Sequence, residues 1–152
     1  MTSPVNLLIA SDHAGFDLKE ALKKHALELG VAFTDLGPTS TSSVDYPDYA
    51  NLLCERLSPS ASQGAALGIL ICGSGVGVSI AANRHPEIRA VLAESEEVAK
   101  LGREHNHANV LCLGARIVSE DLALKIVKGF LQAKPDPGER HMRRIQKLSV
   151  QN

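Results

Sequence analysis

One thiol stands at the head of a glycine loop within Leu67 to Asn83 (LGILICGSGVGVSIAAN). Cys72 precedes Gly73-Ser74-Gly75-Val76-Gly77, and the small-residue run Val78 to Asn83 follows. The apolar Leu67 to Ile71 reads as a strand buried on both faces, and the run after the loop as a helix packed close to the sheet. Free peptide N–H groups and the positive end of a helix converge in such a loop and make a site for an anion. Helix N-termini also favour thiolate over thiol. The stretch therefore offers a base or nucleophile beside a cradle for a phosphate or an oxyanion. The same residues also suit a tight turn with a small buried hydrophobe at its start. Two familiar loops are excluded: Val78 breaks the third-glycine position of a dinucleotide fingerprint, and no Lys-Ser/Thr follows Gly73 as in a P-loop.

Three other groups of residues carry chemistry. Asp12 and His13 follow the first apolar run; Asp12 is a natural helix N-cap, and an imidazole beside it could hydrogen-bond a sugar oxygen or assist ring opening. His105, Asn106 and His107 end a later helix, where a histidine also gains from the helix dipole. His105 and His107, two residues apart, face apart on a helix and make a poor metal pair. A general acid suits an imidazole better, and no metal is expected. Near the C-terminus Arg140, Arg144 and Lys147 recur at i, i+4 and i+7, with Met142, Ile145 and Leu148 on another face. That stripe reads equally as a solvated surface or as an anchor for a phosphate dianion.

The elements that must position these groups alternate strand with helix. Val5 to Ser11, Val31 to Leu36, Leu67 to Ile71, Ile88 to Ala93 and Val110 to Leu113 read as strands. A helix with Leu18, Leu22, His25 and Leu29 on one face ends at Gly30, and another opens at Pro47 and runs to about Leu57. Gly37 to Val44 is a Ser/Thr-rich loop, and Ser58 to Gly64 a connector. Ser95 caps a helix carrying Val98, Leu101 and His105, and Ser119 one with the stripe Leu122, Ala123, Ile126, Val127, Phe130 and Leu131. A basic helix covers about 139–149. The pattern predicts a single α/β domain over residues 1–152, a three-layer α/β/α sandwich on a five-stranded parallel sheet, Rossmann-like. Asp12-His13, Cys72 to Gly77, Glu94 and Gly114 to Arg116 all follow strands, so they share one edge of that sheet, where ligands bind in open α/β folds.

Composition narrows the function. The 152 residues carry a formal net charge of −1, so no overall field favours nucleic acid or an acidic membrane. Aromatics are 3% and tryptophan is absent, which argues against a base-stacking surface. Cys54, Cys72 and Cys112 are odd in number and widely spaced, as in a reduced, cytoplasmic protein. No stretch has the length of a signal core or a membrane span.

Taken in order, Asp12-His13-Ala14-Gly15, Asp45-Tyr46-Pro47, Ile71 to Gly77 with Ala81-Ala82-Asn83, Arg89-Ala90-Val91, His105-Asn106, Gly114-Ala115-Arg116 and Arg140-His141 through Arg144 resemble the ribose-5-phosphate isomerase B family. That family includes galactose-6-phosphate and allose-6-phosphate isomerases, and the resemblance spans Leu8 to Leu148. It implies a homodimer or homotetramer with active sites shared between subunits, a phosphorylated sugar as substrate, and no cofactor or metal. By matching position, Cys72 would move the proton between C1 and C2 and His105 would open the sugar ring. Ser74 keeps the hydroxyl of the threonine usual there. Asp12 and His13 would contact the open sugar, and Gly73, Gly75, Val76 and Gly77, with the rest of the loop, would hold the enediolate oxygens. Asn106 would bind substrate, and Arg116, Arg140 and Arg144 would grip it chiefly by its phosphate. Val78 stands where some relatives carry a glutamate in place of the cysteine, so this chain is the cysteine type. His107 departs from the aspartate usual after His-Asn. A hexose or tetrose phosphate is an alternative substrate, and a nucleotide-binding module using Glu94 is a remoter reading.

Overall fold

The computed structural model describes residues 3–61 and 67–149. Its strands are β1 (Val5–Ser11), β2 (Val31–Asp35), β3 (Leu67–Cys72), β4 (Ala90–Leu92) and β5 (Val110–Gly114). Between and after them run α1 (Phe16–Lys23), α2 (Ala26–Leu29), α3 (Tyr46–Ala61), α4 (Val76–Ala82), α5 (Glu96–Asn106), α6 (Glu120–Gln132) and α7 (Glu139–Leu148). Every strand pair is parallel and the order is β2-β1-β3-β5-β4. The chain moves outward from β1 to β2, then crosses back to lay β3 on the other side of β1. A crevice opens at the carboxyl ends of strands where the order reverses in this way. Register brings Ser11 level with Ile71 and Cys72 level with Gly114, so the residues after all three central strands meet at that crevice.

Alternation along each strand divides the core in two. Leu7, Ile9, Ile69, Ile71, Leu111 and Leu113 point to the face covered by Leu18 and Leu22 of α1 and by Ile126, Val127 and Phe130 of α6. Ala10, Leu70, Cys72, Val110 and Cys112 face Leu53, Cys54 and Leu57 of α3 and Val78 and Ala82 of α4. This is the three-layer α/β/α sandwich that the sequence predicts.

Several local expectations change. α4 opens at Val76, so Val76 and Gly77 belong to the helix and not the loop, and β4 is shorter than Ile88 to Ala93. The helix reaching to Leu29 breaks at Lys24 and His25 into α1 and α2, and Gly30 (φ +70°) ends the second piece as expected. Ser58 belongs to α3, not to a connector: its hydroxyl donates to the Cys54 carbonyl one turn back at 2.8 Å. Residues 59–61 also belong to α3, and the rest of that connector, 62–64, lies outside the described residues. On α5 the buried positions are Ala99 and Gly102, while Val98 and Leu101 are exposed. The helix lies so close to β4 that a Cβ on Gly102 would stand 2.8 Å from Val91 Cγ2, so small residues take the inner face. Ser95 and Ser119 cap α5 and α6 as predicted, each accepting from the N–H three residues on.

Candidate active site

The loop after β3 is shaped by what the chain around it forbids. Gly75 has φ +80°, and a Cβ there would lie 2.6 Å from Leu92 Cδ1 and 2.9 Å from the Leu113 carbonyl carbon. This turn aims the Gly75 N–H at Cys72 Sγ, 3.1 Å away. The Val76 N–H is taken by Ser74 Oγ at 3.2 Å, and the Ser74 side chain is exposed at the loop tip. β5 holds the other side: Ala115 N–H donates to the Cys72 carbonyl at 2.9 Å and Arg116 N–H to that of Gly73 at 3.0 Å.

Above the loop lies a cavity of about 310 Å3 lined by Asp12, Tyr46, Cys72, Gly73, Ser74, Gly77, Arg116 and Ile117. Cys72 is nearly buried, 4% exposed, and lines this cavity. Asp12 is not the N-cap expected of it: Gly15 takes that position without a side-chain cap, and Asp12 accepts from the Gly15 N–H at 2.9 Å while lining the cavity. His13 stands beside it with Nδ1 3.1 Å from the Val44 N–H, a contact that ties the Ser/Thr-rich loop to this edge. The Arg116 guanidinium lies over Gly73, where Nη1 would be 3.1 Å from a Cβ. Glu94 is exposed and does not line the cavity. Tyr46 was not singled out for a role from sequence. Its ring lies over Gly77, whose absent Cβ would meet it at 2.7 Å, and so it forms a wall of the site. The signal available was its place just before Pro47 at the start of α3.

The remaining candidates are not brought to this cavity by the same chain. His105 and Asn106 end α5, which precedes β5, so they lie at the opposite, amino edge of the sheet. Arg89 of the β4 approach holds that end, donating from Nε to the carbonyls of Asn106 (3.0 Å) and His107 (3.2 Å). α7 stands over it, with the His141 and His105 rings stacked at 4.5 Å between centroids. Arg140 and Arg144, on the same helix, are both exposed. His141 is buried, and its Nε2 has no hydrogen-bond partner; Asp136 Oδ2 approaches only to 3.6 Å. Burial, then the nearby His105 and Arg140, hold the His141 imidazole below its ordinary pKa, against the pull of Asp136. Cys54 and Cys112, the other two thiols, are fully buried, and burial raises both, Cys54 to about 12. Among the described residues no group of three His, Cys, Asp or Glu side chains is arranged to hold a metal ion. No helix there is long and apolar enough to cross a membrane.

A parallel α/β sandwich with a cysteine at the central switch point thus carries its candidate residues in two groups on opposite edges of the sheet. The family model described as Ribose/Galactose Isomerase matches residues 7–148. This chain belongs to that family, and the family places it among the isomerases. It is 42% identical over 139 residues to ribose-5-phosphate isomerase B of Escherichia coli, covering 91% of each chain. It is 44% identical over 144 residues to a probable ribose-5-phosphate isomerase B of Mycoplasma genitalium, covering 94% of this chain and 93% of that one. Among solved structures, the Thermotoga maritima ribose 5-phosphate isomerase superposes with a TM-score of 0.88 at 47% identity, over 95% of this chain and 97% of that one. The Mycoplasma genitalium enzyme with bound ribulose-5-phosphate gives 0.89 at 42% identity, over 97% and 95%.

Proposed function

We propose that the protein interconverts ribose 5-phosphate and ribulose 5-phosphate, with Cys72 as the base that moves the proton. The observation that carries the mechanism is Cys72 lining the cavity with its Sγ under the Gly75 N–H. The thiolate takes the C2 proton of the open-chain aldose, and the C–H electron pair forms a C1–C2 double bond as charge moves to the carbonyl oxygen. The enediolate rests against the loop N–H groups, the Ser74 hydroxyl and Arg116, where a single donor is worth on the order of 3 kcal/mol in the transition state. Cys72 then delivers the proton to C1, while the O2 hydroxyl proton passes to O1 and the C2–O2 bond becomes the ketose carbonyl. Before this, His105 protonates the ring oxygen as the C1–O bond breaks and the C1 hydroxyl loses its proton to become the carbonyl.

His105, Asn106, Arg140 and Arg144 can take part only from a second copy. Each subunit of a two-fold dimer would offer its amino-edge half to its partner's Cys72. Exposed apolar side chains on the elements such a dimer would join support this reading: Val76 and Ile80 on α4 beside the cavity, Met142 and Leu148 on α7. So does a groove of about 500 Å3 between α7, α5 and β4, lined by Asn106, Ile145 and Leu148 among others. The partner's arginines would grip the phosphate, and the binding energy of that unreactive end would hold C1 and C2 against the sulfur.

The family's name also admits a six-carbon sugar phosphate. Turnover of ribose 5-phosphate, allose 6-phosphate, galactose 6-phosphate and a tetrose phosphate, compared by kcat/KM, decides between them. Ribose 5-phosphate should rank first, and Cys72→Ala should abolish turnover with the fold intact. Retained activity in that variant would remove the assigned base.

A further inference from the structure

The link between α6 and α7 crosses the end of α5, and Asp136 is fixed there on three sides. Its N–H donates to the Glu104 carbonyl at 2.8 Å, and its carbonyl accepts from His107 Nε2 at 2.8 Å. Its carboxylate accepts from the N–H of Gly138, the residue before α7, also at 2.8 Å. A carbonyl can only accept, so His107 must carry its proton on Nε2. His107 reaches the link because it sits in the left-handed region (φ 49°, ψ 42°) as the cap residue of α5, just before Ala108 N–H closes onto the Gly102 carbonyl at 3.0 Å. That backbone is uncommon for a residue other than glycine. Beyond this link, α7 is tied down chiefly by buried His141 on His105; Arg140, Met142, Arg143 and Arg144 are exposed.

We propose that His107 is a positioning residue: by tethering the Asp136 carbonyl to the end of α5, it sets where the arginine helix stands. It thereby tunes capture of the substrate's phosphate without touching the substrate. This rests on the reading that Arg140 and Arg144 bind that phosphate across the dimer.

The test uses the full-length protein and three substitutions, H107A, H107Q and R144A, with ribose 5-phosphate as substrate and inorganic phosphate as competitive inhibitor. Loss of one tether should raise KM and the phosphate Ki in H107A by the same factor, roughly 3- to 10-fold, with kcat within about twofold. Glutamine places an N–H donor as far from the backbone as Nε2, so H107Q should recover most of the loss. H107N tolerates the left-handed backbone but falls one bond short of the Asp136 carbonyl. It carries the same expectation as H107A should the alanine variant fail to fold. Unchanged KM and Ki in H107A beside raised values in R144A would overturn the tether alone. A fall in kcat at constant KM would also overturn it. Unchanged values in R144A would overturn the phosphate reading and the proposal with it.

Discussion

The Gly75 N–H points at the Cys72 sulfur from 3.1 Å, and Gly75 holds that aim only in a conformation closed to other residues. Its missing Cβ leaves room for Leu92 and for the backbone of Leu113 and Gly114 at the end of β5. The Cys72 sulfur is therefore positioned by a neighbouring strand and not by its own loop alone. In Gly75→Ala the left-handed φ and the backbone overlap together should cost on the order of 3 kcal/mol. Displacing the donor from the sulfur should also lower turnover by roughly 100-fold. Denaturant unfolding and steady-state kinetics measure the two effects separately; a variant with normal stability and normal turnover would show that the loop does not depend on this turn.

A second relationship governs stability in acid. Burial alone would raise the Asp35 carboxyl, but Lys19 Nζ and Lys23 Nζ, each at 2.7 Å, and the Gly37 N–H hold it below its ordinary value. The folded state thus binds this proton less readily than the unfolded chain. The stabilisation is complete above the ordinary carboxyl pKa and is lost as pH falls from there through the lower folded value. Lys19 is fully buried, with the Pro38 carbonyl, Glu20 and the face of the Phe16 ring as its further partners among the described residues. Asp35→Asn should therefore cost about 3 kcal/mol at pH 7 by leaving a buried ammonium short of its counter-charge. The difference between the two proteins should shrink as the pH drops below 4. Chemical denaturation at pH 7 and pH 3 tests this, and an equal deficit at both would contradict it.

Which of these features the residues disclosed follows from the distance each signal spans. The serine caps and the Gly30 stop are written in adjacent residues, and the structure contains them where the sequence places them; the Cys72 loop is local too, but α4 begins inside it, at Val76. Tyr46 over Gly77 and Lys19 against Asp35 are long-range contacts that no local pattern encodes, although the place of Tyr46 before Pro47 marks that residue. Val98 and Leu101 misled because α5 docks through the absence of side chain at Gly102, which hydrophobic periodicity does not register. The separation of His105 from Cys72 was available in principle. In a βαβ unit a residue that ends a helix lies at the opposite edge from one that ends a strand. His105 ends a helix; Cys72 ends a strand.

The stacked pair His105–His141 supplies a spectroscopic prediction. Burial and then the charges of His105 and Arg140 keep the His141 imidazole below the ordinary 6.5, with Asp136 opposing them and Arg144 adding to them. Because the folded value is the lower one, docking of α7 is firm above about 6.5 and weakens as pH falls from there toward the folded value. An NMR titration should place the His141 midpoint under 6.5. R140Q should move it upward and D136N downward. A midpoint at or above the ordinary value, or a shift in the reverse sense in either variant, would contradict the arrangement of charges around this ring.

Cys72 and His105 lie toward opposite ends of β5, whose five residues span roughly 15 Å at about 3.3 Å each. A single chain cannot close that gap without unmaking its sheet, so complementation between inactive variants should restore activity. In a mixed dimer of C72A and H105A subunits, one composite site carries both substitutions and the other carries neither. Random mixing makes half of the dimers mixed and leaves one of their two sites intact, so recovery should approach roughly a quarter of the wild-type rate per subunit. Subunits refolded or co-expressed together should reach this level, while each variant alone stays near background. The same mixing of C72A with Cys72→Ser, both altered in the carboxyl-edge half, should recover nothing, because every site then lacks the thiol. Absence of recovery in the first mixture, with exchange of subunits verified by mass, would mean that Cys72 and His105 do not act in one shared site.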